Sequence, residues 1–486
     1  MIRSAGSNLT LVDGSEARFS FTKAEVFSAY GRHGKGLNCV LIANSVLKQP
    51  LSCHTTRETL MRLQKDYSNP IYRGYVLAVF VLAYSFNFID RYIMIILQEP
   101  IKAEFLLSDT QLGLLTGFAF AMFYVVCGIP LARLADKGNR RSIVSIAVVT
   151  WSFMTAISGI VTSYSQLLAA RIGVAVGEAG GSPPAHSIIS DIFPKGSRAT
   201  ALGIYSIGIN LGILFGYLLG GWINEYLGWR MAFIVIGIPG ILVGLLVRMT
   251  IAEPVRGLSE GVQQVDDAPG LKETFRFLWS KRSFRLLALA TGVQNLAGYG
   301  IDAWIPPYIM RTFDLGTAEL GTWMGLMAGF LGGAGTLLGG WLCDKLGRRD
   351  LRWYMWLPAL SILLTLPFLV ATFLVTDVYL ALCLYGLPTF LMAIYLAPCI
   401  AMSHSMVTLR MRALASAVLF FVLNFIGLGL GPVSLGMASD LLAPVYGQDA
   451  LRIALIFGSV VFSMGAAALF FRASVFIRED VNPTLA

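Results

Sequence analysis

Charge is what this sequence lacks most. Only 13% of its 486 residues are Asp, Glu, Lys or Arg, while 56% are hydrophobic. That is about half the charged share of an ordinary soluble domain. A soluble fold has to cover its surface with polar groups, so composition excludes a soluble enzyme, a disordered scaffold and an ordinary nucleic-acid binder. Reaction motifs are missing too. There is no G-x-x-x-x-G-K-[ST] loop for a nucleotide, which argues against ATP-driven pumping, and no H-E-x-x-H or nucleophile elbow. The six cysteines (Cys39, Cys53, Cys127, Cys343, Cys383 and Cys399) include no C-x-x-C pair. Neither a metal centre nor a disulfide framework is expected from them. The sequence calls for no cofactor, no metal and no enzymatic activity.

What is present is a series of long apolar runs. A membrane-spanning helix needs about 20 apolar residues, so twelve would use roughly half the chain. Spans are expected near 73–97, 111–134, 143–162, 165–190, 199–224 and 231–251, then near 285–309, 318–342, 353–375, 378–402, 413–438 and 451–472. Backbone polar groups find no water in lipid, so these runs must be helices. The fold class is therefore an all-α membrane protein of twelve transmembrane helices. Residues 1–61 are polar, mixed in charge and without a spanning run, and read as a disordered extension. Met61 is an alternative start. The remaining boundaries are a six-helix half over 62–251, a linker over 252–284, a second half over 285–475 and a tail over 476–486. Within the linker, residues 271–284 alternate Leu, Phe and Trp with Lys and Arg, as in a helix lying on the membrane surface.

The net charge of +9 is explained by topology. Leaving aside the first 61 residues and Arg91 and Arg171 within spans 1 and 4, 24 basic residues fall in loops, tails and span ends on one side and four (Lys102, Arg230, Arg311 and Arg452) on the other. Basic loops stay in the cytoplasm, so both termini are expected there, in a plasma-membrane protein. Lipid-facing loops account for the basic balance without a nucleic-acid partner.

The two halves repeat each other. Leu134, Asp136-Lys137 and Arg140-Arg141 after span 2 recur as Leu342, Asp344-Lys345 and Arg348-Arg349 after span 8, 208 residues later. Arg198 and Asn210 recur as Arg412 and Asn424, 214 residues later. Paired six-helix halves are the repeat signature of a transporter. The second loop resembles the G-x-L-a-D-r-x-G-r-r signature of the major facilitator superfamily. The first departs from it at Ala132 and Asn139. Span 5 carries Gly208, Gly212, Gly216, Gly220 and Gly221, similar to that superfamily's span-5 glycine motif. Asn87-Phe88-Ile89-Asp90-Arg91 in span 1 and Arg171-x6-Glu178-Ala179 in span 4 resemble the spinster branch. The resemblance implies the major facilitator fold, alternating access, and a cytoplasmic gating motif at Asp136, Arg140, Arg141, Asp344, Arg348 and Arg349. Plain topogenic charge is the alternative reading of those loops.

An ionisable group inside the bilayer costs roughly 2.5–3.5 kcal/mol or more, so such groups are functional candidates. Arg171 and Glu178 are two turns apart and leave one face of span 4, separated by about 10.5 Å along the axis. Glu178 is the first candidate for proton carrier, because an apolar surround and an arginine that comes and goes act on a carboxyl in opposite directions. Asp90 is the second, with Arg91 or Arg171 as partner. Tyr84, Asn87 and Arg91 share a face of span 1. Arg91 or Arg171 could instead hold an anionic head group, since a guanidinium suits phosphate and carboxylate. The alternative is a static ion-pair network that only fixes packing. Span 10, the repeat partner of span 4, carries no charge. The second half offers Gln294, Asn295, Tyr299, Asp302, Trp304 and Asn424 as substrate contacts. His186 reads as a hydrogen-bonded structural residue, and Pro183-Pro184 and Pro306-Pro307 as kinks or hinges.

Together these features describe a secondary transporter, proton-coupled, moving an organic anion or an amphipathic, lipid-like molecule. The lipid preference follows from the spinster resemblance. Its expected partners are substrate, protons and membrane lipids, and it is expected to be a monomer. A proton symporter for small carboxylates or sugar acids is the alternative, and a non-translocating receptor or scaffold is the alternative of another class.

Overall fold

The structure, a computed structural model, describes residues 2–5, 8–12, 18–22, 67–259, 271–407 and 411–481. The chain divides into two units, residues 1–70 and 71–486. In the first, β1 (Ile2–Ala5), β2 (Asn8–Val12) and β3 (Arg18–Thr22) form an antiparallel meander in that order. Ile2 pairs with Leu11 and Asn8 with Thr22. The sequence reading expects no regular structure here. The alternation of apolar and polar residues in Asn8–Val12 and Arg18–Thr22 suits a strand and explains the difference. The rest of the extension, including Met61, lies outside the described residues.

Among the described residues, the second unit contains twelve long helical segments. In the first half they are α1 (Pro70–Ile96), α2 (109–137), α3 (Arg140–Ser158), α4 (164–192), α5 (Lys195–Leu227) and α6 (Trp229–Thr250). In the second they are α7 (Arg282–Phe313), α8 (Thr317–Gly347), α9 (Trp353–Leu374), α10 (Val378–Ser405), α11 (412–446) and α12 (Ala450–Asp480). Among the described residues nine stretches are long and apolar enough to cross a membrane on composition alone, one of them running through both α11 and α12. The two that fall short carry polar groups or breaks. α4 is interrupted after Ala179, where the Gly180 and Gly181 amides turn back to the Gly177 and Glu178 carbonyls. α7 contains Gln294, Asn295 and Asp302. Polar caps start the helices: Ser108 and Gln111 form a capping box on α2, and Asn139 and Asp377 cap α3 and α10.

The surface helix expected over 271–284 covers Leu271–Ser280 only. Lys281 then adopts an extended conformation and α7 begins at Arg282, three residues earlier than the sequence boundary. Phe275 and Trp279 stack on its exposed side, 5.3 Å apart, while Leu278 is buried.

Within the halves α3 packs on α6 and α7 on α12. Glycine permits the closest approaches. A Cβ on Gly212 of α5 would lie 2.4 Å from Phe88 Cβ and 2.5 Å from the Ser85 carbonyl oxygen of α1. The halves meet along α2–α11 and α5–α8, which the internal repeat makes equivalent pairs. Each of α2, α8 and α11 carries a π-helical turn, at Leu114–Phe118, Met327–Gly332 and Leu423–Leu428. One apolar core cluster joins both halves at the end away from the Arg140 and Arg348 loops, through Leu97, Leu112 and Leu115 with Ile301, Trp304 and Leu435. A second cluster, near the loop end, runs from Leu278 to Val481 and is built from the second half with the adjoining end of the linker and start of the tail.

Candidate functional site: a buried charge cluster between the first and fourth helices

The polar positions of α1 and α4 face each other. Arg91 Nε donates to Glu178 Oε2 at 2.7 Å. The arginine side chain is 15% exposed and the glutamate 0%, so this ion pair presents only its cationic side outward. The Arg91 guanidinium stands over three rings, Phe120 at 4.9 Å and Phe88 and Tyr124 at 5.1 Å. Such rings attract a cation through their negative faces. Asn87 lies beside Glu178, whose second oxygen, Oε1, has no hydrogen-bond partner.

Arg171 and Asp90 lie deeper. Arg171 is 2% exposed and Asp90 fully buried. Arg171 Nη1 donates to the main-chain oxygen of Asp90 at 3.1 Å, not to its carboxyl. Its guanidinium lies 5.6 Å from the Phe120 ring, so this one phenylalanine serves both arginines. Neither oxygen of the Asp90 carboxyl is hydrogen-bonded. The arrangement thus joins the four charged candidates into one cluster and selects Arg91 rather than Arg171 as the partner of Glu178. Nearby, Tyr84 stacks on Tyr205 at 4.4 Å, and His186 meets Tyr205 edge-on at 5.1 Å.

In the second half Tyr385 donates to Asp302 Oδ1 at 3.2 Å and Tyr395 to Asn295 Oδ1 at 2.8 Å. Tyr299 is partly buried on the same helix. Gln294 is buried with its Oε1 unpartnered. Asn424 donates to the Phe420 carbonyl within α11. Trp304 is fully buried, with Nε1 donating to the Pro432 carbonyl at 2.7 Å, and so pins α7 to α11.

At the loop end, Arg140 is almost completely buried and gathers Glu253 (2.9 Å), Ser187 (2.8 Å), the Pro254 carbonyl (3.0 Å) and Asp191. The Arg141 amide donates to Glu253 at 2.7 Å. Ser187 and Asp191 belong to the first half, and Glu253 and Pro254 to the start of the linker that follows it. Asp344, Arg348 and Arg349 are exposed. The side chain of Asp136 lies outside the described ones.

The opposite end holds contacts that sequence reasoning missed. Asp440 of α11 accepts from the Asp109 and Thr110 amides at 3.0 and 2.7 Å and from the Thr110 hydroxyl at 2.6 Å. Glu225 of α5 accepts from the Thr317 amide at 2.8 Å and its hydroxyl at 3.0 Å. A carboxylate from the fifth helix of each half therefore caps the second helix of the other, where a helix N-terminus favours negative charge. Arg311 of α7 adds ion pairs to Asp109 and Glu99, both at 2.7 Å, and Ser439 donates to Asp109 at 2.7 Å. The one available signal is that Arg311 and Lys102 are among four basic residues on a side otherwise without them.

This geometry can be set against known proteins. The family model described as Major Facilitator Superfamily matches residues 80–432. The chain belongs to the Major Facilitator Superfamily. Within that superfamily, an MFS-type efflux pump of Mycolicibacterium smegmatis is 34% identical over 408 residues, 83% of this chain and 93% of the pump. The sphingosine-1-phosphate transporter SPNS2 of Danio rerio is 30% identical over 236 residues, 46% of this chain and 45% of that protein. Among solved structures, a bacterial homolog of the human lysosomal transporter Spinster, inward-facing and unoccupied, superposes with a TM-score of 0.79. It is 33% identical, and the match covers 85% of this chain and all of that one. The protein is thus a multi-pass, spinster-like member of the superfamily and a transporter.

Proposed function

We propose that this superfamily member couples a proton to an organic anion, with phosphate- or carboxylate-headed amphiphiles as the preferred class. The observation that carries the reading is the composition of the buried cluster: Asp90 and Glu178 against Arg91 and Arg171. With all four ionised, the charges cancel. One added proton leaves one positive charge in a dry interior, where an uncompensated charge costs several kcal/mol. An anion on the outward side of Arg91 removes that cost, so proton and anion favour each other's binding. The guanidinium suits phosphate or carboxylate, and the rings of Phe88, Phe120 and Tyr124 around it suit an apolar chain. The name of the Danio rerio relative points the same way.

The inter-half contacts at the Asp109 end support a state closed there and open toward the loop end, and the basic loops support reading that open end as the cytoplasmic side of a plasma-membrane protein. Alternating access then exchanges the inter-half caps at one end for contacts among Asp136, Arg140, Arg141, Asp344, Arg348 and Arg349 at the other.

The test is uptake of labelled sphingosine-1-phosphate and of lysophosphatidate into proteoliposomes under a pH gradient, with counterflow at equal pH. Glu178→Gln fixes the cluster in its proton-loaded charge. It should keep counterflow and lose acceleration by the gradient. A gradient response equal to the wild type in this variant removes Glu178 as carrier. Binding without counterflow in the wild type favours a receptor over a transporter.

A further inference from the structure

One polar feature next to the cluster has no part in the scheme above. On α3 the Trp151 indole nitrogen and the Thr155 hydroxyl lie one turn apart on one face, about 6 Å along the axis. Both atoms are buried, and neither has a hydrogen-bond partner. Buried polar atoms without partners are uncommon and call for an explanation. Trp151 lines a small pocket with Tyr84 and Asn87 of α1, Ser182 of α4 and Tyr205 of α5, with room for about one water molecule. Asn87 and Trp151 meet at this pocket, and one turn further along α1 and α3, which run in the same direction, stand Asp90 and Thr155, both fully buried. No hydrogen bond joins them in this structure, so a carboxyl and a hydroxyl at one level of neighbouring helices are both unbonded. Ser152, whose hydroxyl is also unpartnered, points elsewhere, against Gly240 of α6.

We propose that Thr155 is the positioning residue for the proton of Asp90. Its hydroxyl donates to the carboxylate and accepts from the carboxylic acid, and a small movement of the two side chains closes this bond in the substrate-free protein. A hydroxyl is the only uncharged group on α3 here able to serve both forms, being donor and acceptor at once. The charged groups facing Asp90 are Arg171 and Glu178 from α4. Arg171 is engaged with the Asp90 main chain, which leaves the carboxyl to Thr155. On the first helix Arg91 is committed to Glu178. The inference rests on the proton-coupled reading of the cluster.

The experiment is an infrared titration of the purified protein in lipid. The C=O band of protonated Asp90 is assigned by its loss in Asp90→Asn, and its pH midpoint is measured without any substrate. A hydrogen bond to a carboxylate stabilises the charged form, so Thr155→Val should raise the midpoint by about one pH unit. It should also move the band to higher frequency. Thr155→Ser, which keeps the hydroxyl, should restore both. An unmoved midpoint and band in the valine variant overturn the proposal. If that variant fails to fold, the wild-type band alone decides, because a band at the free-carboxyl position across the titration overturns it equally. Transport plays no part in this readout, so its failure is distinguishable from failure of the uptake test.

Discussion

Removing the Asp440 carboxylate should open the end of the molecule that is closed in this structure. Asp440→Ala deletes three hydrogen bonds that cross from the second half to the N-terminus of α2, at 3.0, 2.7 and 2.6 Å. A helix cap contributes about 1 kcal/mol, and a charge at the N-terminus adds a few tenths to about 1 kcal/mol. The group is partly exposed, so the freed amides regain water and the loss stays near 2 kcal/mol rather than three full bonds. A change of about 2 kcal/mol in favour of the open state multiplies its population roughly 30-fold. Leu112 reports it, because it is fully buried in the apolar cluster that joins the halves at this end. A cysteine at Leu112 should react with a membrane-impermeant maleimide roughly 30 times faster in the Asp440→Ala background. Asp440→Asn keeps an acceptor and should give a smaller increase. A labelling rate within twofold of the parent would refute the view that the carboxylate caps hold this end shut.

Two further outcomes follow from local geometry. Gly212→Ala should destabilise the protein by about 1–3 kcal/mol, because its Cβ would meet Phe88 and Ser85 of α1 at 2.4–2.5 Å, whereas Gly203→Ala, with open space around it, should be nearly neutral. Thermal unfolding in detergent compares the pair. Outside the spans, Arg230 hydrogen-bonds Glu104 and holds its carboxyl below the usual carboxylate range, and Trp229 donates to the same oxygen at 2.7 Å. A carboxyl lowered on folding contributes stability above its unfolded value, and that contribution is lost as pH falls through the folded value. Glu104→Gln should therefore lower the melting temperature at pH 7, and the deficit should shrink once the pH falls below the ordinary glutamate value and vanish below the lowered folded one.

The parts of the fold legible in sequence are those carried by composition and period. Lipid leaves helices as the only way to satisfy the backbone, so the run lengths give the spans, and the repeated Asp-Lys and Arg-Arg loops give the two halves. Arg171 and Glu178 were readable as one face of α4 because seven residues make two turns. Which arginine pairs with Glu178 was not readable, because rotation of α1 against α4 decides it, and that rotation depends on packing such as Gly212 against Phe88. Asp109 and Asp440 are 331 residues apart, and no local pattern announces their contact. Phe120 reads as one more apolar residue of α2, although its ring lies under both arginines. The π-helical turns leave no periodic trace over five or six residues, and α4 breaks at glycines that serve equally well as packing residues.

Proton counting during ligand binding tests the joint occupancy of the buried cluster most directly. Sphingosine-1-phosphate or lysophosphatidate is added to purified protein in weakly buffered solution, and the pH change is read against the amount bound. About one proton should be taken up per amphiphile in the wild type, and none by Asp90→Asn combined with Glu178→Gln. Binding by the wild type with no proton taken up, or equal uptake by the double variant, would contradict the account.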